Sequence, residues 1–565
     1  MIHDATGFWI IFGAVFIIGS SLISKVLEKK APDRFTFSFP VLLLHDKKSI
    51  NLIERTADRF ETGFSYWGWI GLIVTVLTLI SGFFIVILSV LSVVNAPQSA
   101  TINSPTNYLV IPGVNDFLPL SVGIEILIGL ALGMVVHEGG HGILCRIENI
   151  DIESTGLVFI GPIVLGAFVE PNEEAEEEAS PKSILKMASA GIMNNYALAM
   201  IMVLLLIYQL SSIIVVAGGG HVGETFSGSP ADKAGLEKGD IITGIENESI
   251  ESNSDISNYI DNSTKKSVTV SLKSGEQVTV DRQVFVSGST GLIELNSTIV
   301  RVNSEEVHTV PEVRQIWTET EKEFIIVTNS SGTKQKVPVA ASFTTKENGE
   351  IFVYEVNGER VRTREEATNS VNENSEDAVT YVDKKGSSYS EKQQVTLNNS
   401  EYVINRGFSG VVLSDTGIKL FPSKFYLSIF DATYSNGGEN VFTGEMWQRL
   451  LVLFIVPFAS LIGLQFDFPG FSSEYSSFYT TSFGPEGVML FIITCLFWTA
   501  WININLAIFN ALPVYALDGS YIVQSGSELI SEKFGINKNV LLYVERFVLI
   551  TTLLAILLVI FIPII

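Results

Sequence analysis

The sequence has 565 residues, of which 47% are hydrophobic and only 17% are charged. This balance excludes an ordinary soluble enzyme and indicates a membrane protein with a polar insert. A formal net charge of −24 excludes nucleic acid as an expected partner. The two cysteines lie in apolar stretches and offer neither a disulfide framework nor a cysteine-type zinc site.

Apolar runs long enough to cross a bilayer recur along the chain. They predict a polytopic α-helical membrane protein with about six to seven membrane helices, since a helix needs about 20 residues to span. The first run lacks a basic leader region and a small-residue cleavage site, so we expect an anchor rather than a cleaved signal peptide. The runs are Gly7–Ile23, Tyr66–Val94, Leu120–Cys145, Ile184–Val216, Trp447–Leu464, Gly487–Phe509 and Leu541–Ile565.

Basic residues set the expected orientation. The stretch Lys25–Gly63, interpreted as a loop, contains eight lysines and arginines, whereas Asn95–Pro119 contains none. The positive-inside rule places the first in the cytoplasm and the second outside. Four regions follow: N-terminal membrane helices with a cytoplasmic loop (1–94), the first half of a membrane core (120–216), an extracytoplasmic soluble region (218–445) and the second half of the core (446–565).

His137-Glu138-Gly139-Gly140-His141 lies inside the apolar run Leu120–Cys145. Histidines four residues apart share one helix face, so both can bind one zinc ion. The glutamate between them can act as general base on a water molecule at the metal. Ionisable groups at membrane depth are costly and usually mark a working site, which favours a metal site over a chance match.

An apolar, glycine-rich stretch follows at Leu157–Val169 and is interrupted by Pro162. It is too broken for a helix, and non-helical backbone at membrane depth is tolerated only where it is buried or lines a wet cavity. The glutamates at 173–178 are expected to form a solvated cytoplasmic loop.

The soluble region 218–445 is rich in Ser, Thr, Asn, Glu and Val, which predicts a β-rich domain. Its string Ala234-Gly235-Leu236, followed by Gly239-Asp240, looks like a PDZ domain, and the first unit covers about residues 220–284. A strand–turn–strand pattern occurs there and in two weaker repeats that extend to about residue 400. These repeats are either degenerate PDZ-like units or generic β-hairpins. The pattern comprises Ile242, Ile245, Asn247 and Ile250, then Ile299, Val302, Ser304 and Val307, and then Val353, Val356, Gly358 and Val361.

A catalytic zinc site needs a third protein ligand and an open position. Pro513 ends the helix Gly487–Phe509, so Asp518 is expected on irregular backbone near the membrane end, where a carboxylate can reach a metal. Gly519 permits a close approach. The remaining histidines lie in polar or terminal regions, where solvation is expected.

Three blocks together resemble the site-2 protease family of intramembrane zinc metalloproteases, and its archaeal members in particular. The PDZ-like insert between the two halves of the core also fits that family. Ile192 departs from the family pattern, which usually has proline there. The blocks are His137–His141, Gly166–Pro171 with Ala190–Asn195, and Asn505–Gly519.

The resemblance implies a site and an activity. One catalytic Zn²⁺ would be bound by His137, His141 and Asp518, and Glu138 would activate water. Asn195 would polarise the scissile carbonyl or hold the substrate backbone; the alternative, from the residues alone, is that it bridges helices. A membrane-dipping hairpin with Gly166, Ala167 and Phe168 would pair with substrate as an added strand.

The implied function is cleavage of transmembrane segments of other proteins in regulated intramembrane proteolysis. The alternative is a catalytically inactive relative that acts as a PDZ-bearing membrane scaffold. Expected partners are transmembrane protein substrates, the lipid bilayer and, at the PDZ-like region, a peptide C-terminus.

The sequence also predicts a multi-pass topology in the cell membrane, with the soluble region outside and the active site in the cytoplasmic half of the bilayer. Asp518 must then reach the depth of the histidines, so Gly487–Phe509 runs inward, in agreement with the basic residues beyond it. Trp447–Leu464 is therefore predicted not to span, but to dip in and return or to lie along the surface. The alternative is a normal span and a wrong side for the soluble region.

Overall fold

The computed structural model describes residues 2–95, 120–161, 163–289, 292–345, 349–371, 376–385, 388–398, 402–405, 407, 411–423, 471, 475–515 and 517–562. These residues form two compact units. The membrane unit contains the described residues up to Ile214, Phe471 and those from Thr481 onward. The β unit contains those from Val215 to Ser423 and from Tyr475 to Thr480.

The first part of the membrane unit combines long helices with a small antiparallel sheet of order β1-β2-β3-β4. Its longest helix, α2, is interrupted by non-helical backbone at Phe60. The elements are α1 (Ile2–Lys30), β1 (Phe35–Ser38), β2 (Val41–His45), α2 (Lys47–Asn95), α3 (Gly123–Ile147), β3 (Ile152–Ile160), β4 (Ile163–Pro171), α4 (Glu173–Glu178) and α5 (Pro181–Ile213).

The β unit holds most of the strands. Its elements are β5 (Ile214–Val216), β6 (Gly220–Thr225), α6 (Pro230–Ala234), β7 (Ile241–Ile245), β8 (Glu248–Ser249), α7 (Asn253–Asn262), β9 (Ser267–Leu272), β10 (Gln277–Asp281), β11 (Val284–Ser289), β12 (Thr298–Val302), β13 (Glu305–Glu306), α8 (Val310–Glu319), β14 (Phe324–Asn329), β15 (Lys334–Pro338), β16 (Ala341–Thr345), β17 (Gly349–Val356), β18 (Glu359–Arg360), α9 (Arg364–Ser370), β19 (Glu376–Lys385), β20 (Ser388–Tyr389), β21 (Gln393–Asn398), β22 (Tyr402–Ile404), β23 (Val411–Ser414) and β24 (Ile418–Leu420).

The second part of the membrane unit contains α10 (Glu486–Asn510), α11 (Asp518–Phe534) and α12 (Lys538–Phe561), after a short strand β25 (Tyr479–Thr481) that pairs with β5. Helices α3, α5 and α10 pack against one another, and α11 packs against α5. Their shared core includes fully buried residues such as Trp498 and Ile192.

Five helices in the described part of the chain are long and apolar enough to cross a membrane: Lys48–Leu91, Leu120–Ile147, Pro181–Leu206, Glu486–Asn510 and Lys538–Phe561. They correspond to five of the predicted apolar runs. Gly7–Ile23 lies within α1, and Trp447–Leu464 lies outside the described residues. A polytopic membrane protein with a β-rich insert is confirmed, and the number of six to seven spans stays a prediction.

The interpretation of Lys25–Gly63 as a loop was wrong. Helix α1 continues to Lys30, α2 begins at Lys47, and the residues between them form the hairpin β1–β2. Strand β2 then pairs with β3, with Leu44 opposite Leu157. The partner lies more than 100 residues away in sequence, so local patterns could not reveal this pairing.

The three repeats of the β unit fold in the same way. Each forms an antiparallel sheet with a short hairpin and a helix that begins with a capping box, at Ser252, Thr309 and Thr363; the first repeat also contains the short helix α6. The sheet orders are β10-β9-β7-β6-β24, β15-β14-β12-β11-β23 and β20-β19-β17-β16-β22. The repeated apolar positions supply the cores, because Ile242, Ile299 and Val353 are all buried at 2% exposure or less.

The last strand of each sheet comes from one segment near the end of the β unit. Strand β22 closes the third sheet, β23 closes the second and β24 closes the first. The repeats are therefore nested rather than consecutive. A fully buried ion pair between Arg282 and Asp415 reinforces this arrangement, because Asp415 also accepts a hydrogen bond from Val310 N–H in the second repeat, 3.0 Å away.

The segment Tyr475–Thr480 belongs to the β unit although it comes shortly before α10. Ser477 donates a hydrogen bond to Gly239 O (2.7 Å), and Phe478 O accepts one from Ala217 N–H (2.8 Å). Tyr475 stacks on Phe421 with ring centroids 4.1 Å apart. The described residues up to Ser423 and those from Tyr475 to Thr480 therefore pack into one body.

Candidate metal centre

Two histidines and one aspartate converge in the membrane unit. His137 and His141 lie one turn apart on α3, and their Nε2 atoms are 3.1 Å apart. Asp518 Oδ2 lies 3.1 Å from His137 Nε2 and 3.5 Å from His141 Nε2. Helix periodicity brings the histidines to one face, and tertiary packing adds a carboxylate from the far end of the chain.

This donor set fits a metal ion. Asp518 Oδ2 is buried and forms no hydrogen bond within the described residues, although two imidazole nitrogens face it. Three ligand atoms within 4.8 Å of one another can all be satisfied by a single cation. Two imidazoles and one carboxylate are a donor set typical of catalytic zinc, which keeps its fourth position open.

Asp518 reaches this point through a break between two helices. Helix α10 ends at Asn510, Pro513 follows, and α11 begins at Asp518 itself. The expectation that Asp518 lies on irregular backbone was wrong, because it is the first residue of a helix. Gly519 is required beside it, since a Cβ there would lie 2.3 Å from the carbonyl oxygens of Ala511 and Leu512.

Helix α5 contacts both histidines through their Nδ1 atoms, which lie away from the metal position, and also packs beside their Nε2 atoms. His141 Nδ1 lies 2.9 Å from Met187 O, and the Asn195 carboxamide lies 3.2 Å from His137 Nδ1. Such partners fix the ring orientation of a metal-bound histidine. Gly191 lies between them, and a Cβ there would be 2.5 Å from His141 Nε2. Met187, Gly191 and Asn195 recur every four residues and thus share one face of α5.

The buried carboxamide of Asn195 suits this role. A histidine that binds metal through Nε2 carries its proton on Nδ1 and needs an acceptor there. Asn195 Oδ1 is buried without a hydrogen-bond partner in the described part of the chain. A 180° turn of the carboxamide brings Oδ1 to His137 Nδ1 and satisfies both groups. The contact supports an orienting role, while the substrate-facing role of Asn195 stays a prediction.

The neighbouring Asn194 connects three helices. Its Oδ1 accepts a hydrogen bond from Trp67 Nε1 (2.8 Å), and its Nδ2 donates to Val136 O (3.0 Å). Gly140 leaves room for it, because a Cβ there would lie 2.5 Å from Asn194 Nδ2. Neither Asn194 nor Gly191 was predicted from the sequence to belong to the site, although the spacing of Gly191 from Asn195 was a usable signal.

The stretch predicted to be non-helical forms the hairpin β3–β4 alongside α3. Gly166 faces Met134, whose Sδ would lie 2.9 Å from an added Cβ. Ala167 pairs with Leu157, and the Phe168 ring meets the His45 ring edge-on with centroids 5.3 Å apart. The three predicted substrate-binding residues are thus consecutive on the outermost strand of the sheet. Pro162 lies outside the described residues.

Glu138 lies next to the histidines and contacts this strand. Its Oε2 accepts a hydrogen bond from Val169 N–H at 3.0 Å. The backbone of β4 therefore fixes the position of the candidate base. Sequence analysis could not foresee this contact, because a backbone donor carries no residue signature.

The acidic segment after the hairpin is helical rather than a loop, although Glu173, Glu174, Glu177 and Glu178 are exposed, as expected for solvated side chains. It forms the short helix α4, capped by Asn172, whose side chain accepts a hydrogen bond from Ala175 N–H (3.1 Å). Ala175 packs against the buried cluster that includes Leu144. Burial raises the pKa of Glu176, and the charge of Glu173 adds to this effect.

Comparisons with known proteins agree with this geometry. The sequence pattern of peptidase family M50 matches residues 125–554, which is more than half of the chain and includes all three candidate ligands. An uncharacterised protein of Methanocaldococcus jannaschii is 27% identical over 219 residues, which cover 38% of this chain and 55% of the relative. The chain spans about half the length of that relative.

Proposed function

Because the chain belongs to peptidase family M50, the site-2 protease family of zinc metalloproteases, we propose that it is a zinc endopeptidase that cuts transmembrane segments of other proteins within the membrane. The observation that carries the proposal is the convergence of His137, His141 and Asp518 on one point, with Glu138 adjacent. Ionisable side chains at membrane depth are rare unless they work together.

The roles of the residues follow from their chemistry. A zinc ion held by the three ligands would polarise the scissile carbonyl and lower the pKa of a neighbouring water. Glu138 takes a proton from the attacking water while the water oxygen forms a bond to the carbonyl carbon. As the carbon–nitrogen bond breaks, Glu138 returns that proton to the leaving amine. Asn195 and Met187 O hold the histidine rings by their Nδ1 atoms.

Substrate geometry supports a role for the hairpin. A helical transmembrane segment has its peptide groups hydrogen-bonded internally, so a protease must first unwind it. Strand β4 has β3 on one side and forms the outer edge of its sheet. An edge strand can accept an extended peptide as an additional strand. Gly166, Ala167 and Phe168 would then bind the unwound substrate beside the metal.

The β unit would select substrates. Its first repeat carries the PDZ-like string, and we propose that a peptide C-terminus released by an earlier cut binds there. This corresponds to regulated intramembrane proteolysis. The alternative of an inactive scaffold is less well supported, because a decayed site is expected to lose at least one of its four polar residues, and all four are present.

Loss of the histidines should abolish metal binding. Wild-type protein is expected to contain about one zinc per chain, as a mononuclear site requires. The double variant His137→Ala, His141→Ala retains one ligand and should lose that zinc. Elemental analysis of purified protein measures the ratio. His308→Ala in the β unit is the matched control and should retain zinc, whereas stoichiometric zinc in the double variant contradicts the assignment.

We further propose that the β unit lies outside the cytoplasm and that Trp447–Leu464 dips into the membrane and returns. Support comes from Ser477 and Phe478, which pack with residues of the first repeat. In this proposal, the chain segments before and after Trp447–Leu464 lie on the same side of the membrane.

Single cysteines test this topology in a Cys145→Ala, Cys495→Ala background. Ser274→Cys and Ser476→Cys are both expected to react with a membrane-impermeant thiol reagent applied outside intact cells. Glu174→Cys, at the cytoplasmic end in this topology, should react only after lysis. Labelling of positions 274 and 476 from opposite sides would demonstrate a true crossing by 447–464.

A further inference from the structure

The hydrogen bond between Glu138 and Val169 joins the candidate base to the candidate substrate strand. Val169 N–H donates to Glu138 Oε2 at 3.0 Å. In the ladder, Val169 stands opposite Thr155 of β3, but its N–H points to Glu138 instead of to that neighbour. It therefore belongs to the outer edge of β4. The base occupies a backbone donor on the outer edge of β4, with which no strand of the described residues pairs.

An added strand needs that same donor. Pairing at a sheet edge consists of hydrogen bonds between outward N–H and C=O groups and the new backbone. The backbone N–H and C=O groups of successive residues in a strand point to opposite sides. Those of Ala167 and Val169 therefore point to the outer edge of β4, whereas those of Phe168 point to its ladder partner Gly156. For a peptide that pairs with residues 166–169, the Val169 N–H is one of the few backbone donors at this edge. Glu138 and a substrate carbonyl thus compete for one hydrogen.

We propose that the hydrogen bond between Val169 N–H and the Glu138 carboxylate acts as a latch, which opens when substrate binds. In the resting enzyme the N–H binds the Glu138 carboxylate, and on strand addition it binds a substrate carbonyl instead. This inference rests on the proposed function and assigns a further substrate-positioning group. Glu138 Oε2 loses this donor when the edge is filled, and it is then free to accept a hydrogen bond from water instead. The base and the strand site are therefore coupled.

The latch has a second consequence for the resting protein. An unpaired edge strand invites pairing with any extended chain, and a charged side chain on the edge discourages this. Glu138 occupies the edge at Val169, so a weakly binding strand must first displace a charge-assisted hydrogen bond. The enzyme would then select among peptides at the binding step, before cleavage.

Binding to two inactive variants tests the proposal without cleavage. Glu138→Gln retains an acceptor oxygen for Val169 N–H, whereas Glu138→Ala removes it. The probe is a fluorescently labelled 12-residue peptide of Leu, Val and Gly, in detergent with zinc-loaded protein. The alanine variant is expected to bind it about fivefold more tightly than the glutamine variant, because a typical hydrogen bond contributes about that factor. Glu174→Ala added to either variant should change neither affinity.

Removal of the donor itself completes the test. In the Glu138→Ala background, replacement of Val169 by its α-hydroxy analogue exchanges the N–H for an ester oxygen and keeps the side chain. Affinity is expected to fall back by about fivefold, since the substrate loses the same hydrogen bond. Hydrogen exchange over residues 166–171 should also be faster in Glu138→Ala than in Glu138→Gln. This second measurement reports on the latch without any peptide.

The possible outcomes distinguish a failure of the latch from a failure of the proposed substrate site. Equal affinity in the alanine and glutamine variants, with an active wild-type enzyme, overturns the latch alone. An ester that leaves affinity unchanged does the same. Failure of every variant to bind the peptide overturns strand addition at β4, and with it both the latch and the proposed substrate site.

Discussion

Glu138→Gln is expected to keep a full complement of zinc and to cleave a transmembrane substrate at least about a hundredfold more slowly, the usual contribution of a general base. Glutamine has the same size but cannot take up a proton. It also keeps an oxygen that can accept the hydrogen bond from Val169 N–H, so the hairpin should stay in place. The change therefore isolates proton transfer from structure.

The measurement is single-turnover cleavage of a purified model substrate, together with elemental analysis of the same sample. Glu174→Gln, at an exposed position of α4, is the matched control and should cleave at the wild-type rate. Near-normal turnover by Glu138→Gln removes Glu138 from the mechanism. Loss of zinc together with activity would instead show that Glu138 supports the ligands.

Gly191→Ala is expected to weaken zinc binding by about ten- to hundredfold, as other changes beside metal ligands do. A Cβ at this position would lie 2.5 Å from His141 Nε2 and 2.7 Å from His137 Nε2. The imidazoles or the whole of α5 must shift, and the shift occurs at the atoms that bind the metal. Cleavage should decline with zinc occupancy and recover in part at high zinc concentration.

Gly139→Ala provides the matched control on α3, within the metal-binding motif itself. A Cβ there meets no atom within 4 Å, and alanine is favoured over glycine in a helix interior by up to about 1 kcal/mol. It should retain zinc and unfold at an unchanged or slightly higher temperature. Zinc affinity that is equal in Gly191→Ala and wild type contradicts the close contact described for α5.

The parts of the site that sequence could predict are those with a local signature. His137 and His141 follow from helix periodicity, and Asp518 follows from a proline break near an Asp-Gly pair. Gly191 and Met187 were not predicted because their role arises where α5 meets α3. A carbonyl oxygen and a missing side chain leave almost no trace in a sequence.

The same distinction applies to the fold: elements with a local sequence pattern were predicted, and those that depend on distant contacts were not. Apolar length alone identified the five helices that are long and apolar enough to cross a membrane, and alternating residues identified the three repeats of the β unit. The hairpin β1–β2 was missed because its strands have four and five residues and its stabilising partner β3 is distant. The helix α11 was missed because it is amphipathic rather than continuously apolar. Tertiary contacts, rather than local propensity, decide both.

The nested order of β22, β23 and β24 affects how the chain folds as it is synthesised. Strand β6 is synthesised early, but its partner β24 begins only at Ile418. At ordinary elongation rates of about 5–20 residues per second, β24 follows roughly 10–40 s later. The third repeat can close first, then the second, and the first repeat last. During that delay the apolar residues of β6 and β7 need protection from aggregation. Asp518 is made after all three closing strands, so a nascent chain reaches the end of its β unit before it holds a complete set of metal ligands.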